Sequence, residues 1–178
     1  TGGHETTRLC LEMCEKYLGL TPFVVGPGAR SGIRIAMKNP TEVGADRIVN
    51  AVAAFERYGG PCIVCDFGTA TTFDVISAEG DYVGGAIAPG IEVSMEALTS
   101  RAAKLITVEL AEPAHAIGKA TAESLQSGMV YGFAGQVEGV VHAIWDELGT
   151  RATVVATGGL AELIAGHTAV ISAVDPLL

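Results

Sequence analysis

Cys62-Ile63-Val64-Cys65-Asp66-Phe67-Gly68-Thr69-Ala70-Thr71-Thr72-Phe73-Asp74-Val75-Ile76 is the stretch that decides the fold. An apolar run, Cys62 to Cys65, drives into an acidic residue, a glycine and a cluster of small hydroxyl residues. A second strand-like run, Phe73 to Ile76, follows at once. A phosphate-handling hairpin has this composition. Its strand brings one carboxylate to the strand end, glycine lets backbone N–H groups approach an anion, and threonines add donors. The carboxylate of Asp66 would repel phosphate, so the pattern implies a cation between the two. A tight hairpin in which Asp66 and Thr69 only form the turn fits the same residues equally well.

Working outward, three strands follow at hairpin spacing: Cys62–Phe67, Thr71–Ser77 and Tyr82–Ile87, with Ala78-Glu79-Gly80-Asp81 as the second turn. Upstream, a helix is expected over Thr6–Leu18, a short strand over Pro22–Val25 and another over Ile33–Met37. Asn39-Pro40 breaks that strand, and a helix runs from about Val43 to Tyr58 with Ile48, Val49, Val52 and Phe55 on its buried face. Downstream, helices are expected at Ile91–Ala103 and Ala120–Leu148, the second kinked or split near Gly132 or Gly135. A strand at Thr153–Ala156, a turn at Gly158-Gly159, a helix at Leu160–Ala165 and a strand at Val170–Ser172 complete the order. This is an α/β fold with a mixed sheet and flanking helices, without the regular alternation of a Rossmann fold.

The bulk composition narrows the function classes. Of 178 residues, 49% are hydrophobic and 17% charged, which supports a packed core and excludes a disordered chain. The net charge of −9 and the absence of a basic stripe speak against nucleic acid as a partner. No apolar run approaches the ~20 residues of a membrane span, and Thr1-Gly2-Gly3-His4-Glu5 has no signal-peptide character. The start lacks Met and both ends read as cut, so the expectation is a piece of a longer cytoplasmic protein. Cys62 and Cys65 would lie on opposite faces of a strand, which defeats chelation, and Cys10 and Cys14 share an apolar helix face. All four are read as buried thiols.

Four further segments could carry chemistry. In Glu42-Val43-Gly44-Ala45-Asp46-Arg47, Asp46 falls in the first turn of its helix beside free backbone N–H groups, Gly44 opens the backbone to a substrate, and Arg47 offers a planar fork for a carboxylate. Asp46 could accept a hydroxyl proton in phosphoryl transfer; equally, Glu42 and Asp46 could merely complement the helix dipole. Val154 to Ala161 is a strand running into paired glycines at a helix start, and Gly84 to Gly90 ends in a Pro-Gly loop; both also fit ordinary turns. Thr121 reads as a helix N-cap with Ser124 beside it. His4, His115, His142 and His167 show no ligand spacing, and Trp145 reads as core.

Taken in order, these pieces resemble type III pantothenate kinase. The matching segments are Asn39-Pro40 with Glu42 to Asn50, Asp66 to Thr72, Gly84 to Gly90, Gln126-Ser127-Gly128 with Tyr131-Gly132, and Ala156 to Ala161. The resemblance implies the fold of the acetate kinase, sugar kinase and actin superfamily, two ribonuclease-H-like halves around an ATP cleft. Residues 1–40 would be the remnant of the first half and residues 41–178 the second, carrying the pantothenate and ATP segments. It implies ATP-dependent phosphorylation of pantothenate, the first step of coenzyme A synthesis, with Mg2+ and a monovalent cation (K+ or NH4+). By the same resemblance Asp46 is the proton acceptor, Gly44, Ala45, Asp46, Arg47 and Thr121 hold pantothenate, Asp66 binds the monovalent cation, and Gly68, Thr69, Gly158 and Gly159 meet ATP. A cytoplasmic homodimer with the substrate pocket near the subunit interface is implied as well.

Some features depart from that pattern. No Asp-x-Gly-Asn-Thr phosphate loop is found in Thr1–Asn39, Met37 stands where a tyrosine is often found, and Ile106 where a proline commonly follows Lys104-Leu105. The 178-residue stretch alone is therefore expected to show little or no kinase activity in a coupled ADP-release assay with saturating ATP and pantothenate, and turnover at full-enzyme rates would contradict this. Two other readings are a superfamily kinase with a different acceptor, and a non-catalytic accessory or transcription factor of the same family. The Gly-Ala-Asp-Arg segment favours pantothenate over the first, and the presence of both Asp46 and Asp66 favours a catalytic protein over the second.

Overall fold

The computed structural model describes residues 31–101 and 108–178. The helix expected at 6–18, the strand expected at 22–25, Cys10, Cys14, His4 and the Lys104-Leu105-Ile106 segment lie outside the described residues.

Asn39 accepts from Thr41 N–H through its side chain and opens a 3-10 turn, Pro40–Glu42. Gly44 then caps helix α1 (Ala45–Tyr58), which Gly59 ends at a positive φ. Strands β1 (Cys62–Phe67), β2 (Ala70–Ile76) and β3 (Tyr82–Pro89) follow as two consecutive antiparallel pairs. Helices α2 (Ile91–Arg101) and α3 (Thr121–Leu148) lead to β4 (Thr153–Thr157), the short helix α4 (Ala161–Ala165) and β5 (Ala173–Val174). The sheet order is β3-β2-β1-β4-β5, with β4 parallel to both β1 and β5. The expected mixed sheet with flanking helices is therefore present.

Strand alternation divides the two layers. Ile63, Cys65 and Phe67 of β1 pack in one cluster with Val130, Phe133, Ala134, Val137 and Val141 of α3 and Ile164 of α4. Cys62 and Val64 pack in the other with Ala51 and Ala54 of α1, Ile76 and Tyr82. The two cysteines thus face opposite ways, as their spacing requires, and both are free and buried. Burial pushes the Cys62 thiol up to about 11 and raises that of Cys65 further, with the charge of Asp74 adding to it. Neither is expected to be alkylated by iodoacetamide at pH 8 in the folded protein. Peptide mass spectrometry before and after denaturation checks this; labelling of Cys65 in the native state would contradict it.

Four expectations change. The segment expected as a strand at Ile33–Met37 makes only an isolated parallel bridge, Ile35 to Tyr82. The last strand is Ala173–Val174 rather than Val170–Ser172. The long helix α3 runs unbroken through Gly132 and Gly135. Each interior glycine costs about 1 kcal/mol of helix propensity, but the opposite face carries Val130, Phe133, Val137 and Val141 into the core and holds the helix together. Finally, the buried stripe of α1 is Asn50, Ala51 and Ala54, whereas Val49 is exposed and Ile48, Val52 and Phe55 are half-buried. Small alanines let α1 lie close on β1, and that close approach brings Asn50 onto the sheet.

Gly85 pairs with Asp74 between β3 and β2, and a Cβ there would run into the carbonyl of Phe73. Gly85→Ala is expected to cost about 2 kcal/mol, or roughly 4–8 °C in Tm. A thermal melt checks it, and an unchanged Tm would contradict this tight strand packing.

Candidate active site

Asp66 is the penultimate residue of β1, and Thr157 ends the parallel strand β4; the two are register partners at the same sheet edge. On the other side, Asp66 is paired with Thr72 of β2. Alternation turns Asp66, Thr72 and Asp74 to the face that α1 covers. Asn50 of α1, itself buried, donates from Nδ2 to Asp66 Oδ2 at 3.3 Å. That bond, made from the first half of α1 to the end of β1, aims the helix N-terminus at this edge. Its free N–H groups and positive dipole end favour anions there.

The other carboxylate oxygen, Asp66 Oδ1, lies beside glycines. A Cβ on Gly158 would sit 2.9 Å from it and 2.7 Å from the carbonyl of Phe67, and a Cβ on Gly68 would sit 3.6 Å from it. Gly158 also needs φ of 92°, which L side chains rarely adopt. Burial, together with the charges of Asp46 and Asp74, raises the Asp66 carboxyl above its ordinary value, and the Asn50 hydrogen bond only partly offsets this. Among the described residues no cationic side chain pairs with Asp66. An underneutralised carboxylate with the Phe67 carbonyl at hand, and space kept by glycine, suits a hard cation of low charge. No group of three His, Cys, Asp or Glu among the described residues is arranged to hold a metal ion, so a multi-carboxylate site is not built here.

Asp46 is exposed in the first turn of α1, one residue beyond Ala45 and its Gly44 cap. The Asp46 carboxylate lies back over Gly44, at the position a Cβ there would approach. Arg47 turns inward. Its Nε donates to Asp74 Oδ1 at 2.7 Å and its Nη2 lies 2.6 Å from the same oxygen. Burial opposes the Arg47 charge, but the hydrogen bond and charge of Asp74 outweigh it and hold its pKa above the ordinary value.

The structure therefore brings Asp46, Arg47, Asp66, Gly68 and Gly158 to one sheet edge. Thr69 belongs to the same hairpin; its carbonyl accepts from Gly90 N–H at 3.1 Å, which ties the Gly84–Gly90 segment to the Asp66 turn. Gly159 is exposed, with open space where a Cβ would be. Thr121 is exposed in the first turn of α3, whose core face packs on the opposite side of the sheet from α1. It is not the cap: Ala120 takes that position, and the Glu123 carboxylate accepts from Lys119 and Ala120 N–H. Ser124 Oγ donates to the Ala120 carbonyl at 3.0 Å. Reading the sequence missed Asn50, Thr72, Asp74 and Tyr82. The available signal was an acidic residue, Asp74, inside the apolar run Phe73–Ile76, where an unpaired charge would be costly.

Residues 3–143 match the type III pantothenate kinase family. The chain is 56% identical over 172 residues to a type III pantothenate kinase of Moorella thermoacetica, covering 97% of this chain and 68% of that protein. It is 54% identical over 166 residues to a type III pantothenate kinase of Bacillus cytotoxicus, covering 93% of this chain and 63% of that protein. The chain thus spans about two thirds of the length of these relatives. A solved structure from Campylobacter jejuni, described as of a Baf family of transcriptional activators, superposes with a TM-score of 0.55 at 23% identity, over 83% of this chain and 63% of that one. That likeness concerns the fold alone. Among the described residues no helix is long and apolar enough to cross a membrane. By the family match and by identity over nearly its whole length, the chain belongs to the type III pantothenate kinase family.

Proposed function

We propose that the whole protein transfers the γ-phosphoryl group of ATP to the primary hydroxyl of pantothenate, giving 4'-phosphopantothenate, and that the sheet edge at Asp66 and the N-terminus of α1 form its acceptor half. The observation that carries this reading is the joining of Asp46, Arg47 and Asp66 at one edge by the Asn50–Asp66 bond, in a chain of this family. Asp46 would accept the proton of the attacking hydroxyl. Arg47 would face the pantothenate carboxylate, and Thr121 would add a contact. Gly68, Thr69, Gly158 and Gly159 would leave backbone close to the nucleotide. A monovalent cation, K+ or NH4+, would sit on Asp66 Oδ1, and Mg2+ would accompany ATP; together they offset the negative charge of the phosphates. What the chain's own residues supply is positioning and a proton acceptor.

Residues 1–40 and 41–178 would belong to the two halves of the cleft. We also propose a homodimer. Its support is the stripe Gly128, Gly132, Gly135 and Gly139 on α3, where an added Cβ would meet nothing within 4 Å. A cytoplasmic location fits a kinase acting on a soluble metabolite. The test is product analysis: with ATP, Mg2+ and K+, the whole protein should convert pantothenate to a species one phosphate heavier. ATP turnover that ignores pantothenate would overturn the proposal. A superfamily kinase with another acceptor would then be the better reading.

A further inference from the structure

Asp74 is fully buried, and both of its carboxylate oxygens accept hydrogen bonds. Its Oδ1 takes Arg47 Nε at 2.7 Å, Arg47 Nη2 at 2.6 Å and Tyr82 Oη at 2.6 Å, and its Oδ2 takes Thr72 Oγ1 at 3.0 Å. Tyr82 is itself fully buried, and its ring lies 5.8 Å from the Arg47 guanidinium carbon. The guanidinium plane is thus fixed by a hydrogen bond and an ion-pair contact to one carboxylate oxygen and by an aromatic ring. The Tyr82 hydroxyl also interacts with the Arg47 side chain, which is 16% exposed.

A buried ion pair is weak support for stability, since apolar residues of similar volume often serve as well. Here a buried acid, a tyrosine hydroxyl and a threonine hydroxyl from β2 and β3 converge on one arginine of α1. The result is a cation held inward on Asp74 by one edge, with part of its side chain still exposed and the charge of Asp46 near it. A carboxylate reaching that guanidinium gains a charge-assisted bond without having to order the arginine.

We propose that Asp74, seated by Tyr82 and Thr72, is a positioning residue that presents the Arg47 guanidinium to the acceptor's carboxylate and so sets the preference for an acid over a neutral analogue. The inference rests on the pantothenate reading above and adds the device by which that acid is selected. Asp74 does not touch substrate. Its effect passes through Arg47, and it should appear in substrate affinity and selectivity, not in the chemical step.

The test compares pantothenate with pantetheine, which keeps the primary hydroxyl and replaces the carboxylate with a neutral amide. Asp74→Asn, Tyr82→Phe and Arg47→Ala are assayed in the whole protein for kcat and KM with each acceptor. Asp74→Asn should raise the KM for pantothenate about 10–50-fold, with kcat changed less than about threefold and the KM for pantetheine within about twofold. Tyr82→Phe, which removes one of four donors and keeps the ion pair, should shift the same ratio about threefold. It decides the matter if Asp74→Asn does not fold, and an unchanged ratio in folded Tyr82→Phe then overturns the inference. If Arg47→Ala loses acid selectivity while Asp74→Asn keeps it, the inference fails and the pantothenate assignment stands. If the unaltered protein turns over neither acceptor, the assignment fails and the inference with it.

Discussion

Replacing Asp46 with Asn is expected to lower kcat for pantothenate phosphorylation by about 10²–10⁴-fold, with the KM for pantothenate within about threefold of its original value. Asp46 is exposed at the start of α1 and makes no structural ion pair among the described residues. The amide keeps the shape and can still donate or accept a hydrogen bond to the substrate hydroxyl. It cannot take the proton. A loss confined to kcat therefore marks a proton acceptor, whereas equal losses in kcat and affinity would mean that Asp46 only binds. Melting temperatures of the two proteins should agree, since no buried contact is removed.

The second large effect is at Asp66, where activity and stability should move in opposite directions. The folded protein binds the Asp66 proton more tightly than the unfolded chain does, because burial and the neighbouring Asp46 and Asp74 disfavour its charge. The stability this represents is present below the ordinary carboxylate range and is lost as pH rises through the raised folded value. At pH 7 the uncompensated charge is therefore a cost. Asp66→Asn should raise Tm in buffers free of K+ and NH4+, while lowering kcat/KM for ATP by about 10²-fold. Added KCl should raise Tm of the original protein but not of the variant, because only the original binds the cation in the folded state. Choline chloride serves as the ionic-strength control. A variant that melts lower than the original, or that keeps its K+ response, would contradict the assignment of Asp66 as the cation carboxylate.

How much of this was legible in the sequence follows from where each residue finds its partner. The β1-β2-β3 hairpins were readable because Gly68 and Gly80 punctuate short apolar runs at turn spacing. Asp46, Arg47 and Asp66 stood out because polar residues at element ends have few structural duties. Asp74 and Asn50 did not, since each sits within a regular element and its meaning depends on a partner 27 or 16 residues away. The β1–β2 register makes Thr72 the partner of Asp66, and alternation puts Asp74 on the same face. The helical pattern of α1 misled for a related reason. Its larger apolar residues suggested the buried face, but close packing on β1 selected the alanines and drew Asn50 inward with them. In α3 the glycines suggested a break, whereas burial of the opposite face outweighed their propensity cost. Thr121 matched a cap by residue type, yet the Glu123 carboxylate reaches the N–H groups of Lys119 and Ala120 and caps the helix from inside.

The most direct measurement is the rate of ADP release by the whole protein with pantothenate present or absent, with the phosphorylated product identified by mass spectrometry, for the original protein and Asp46→Asn. ADP release should require pantothenate, match 4'-phosphopantothenate mole for mole, and fall by at least about 10²-fold in the variant. ADP release independent of pantothenate, or a variant as fast as the original, would contradict the assignment of this sheet edge as a pantothenate kinase acceptor site with Asp46 as its base.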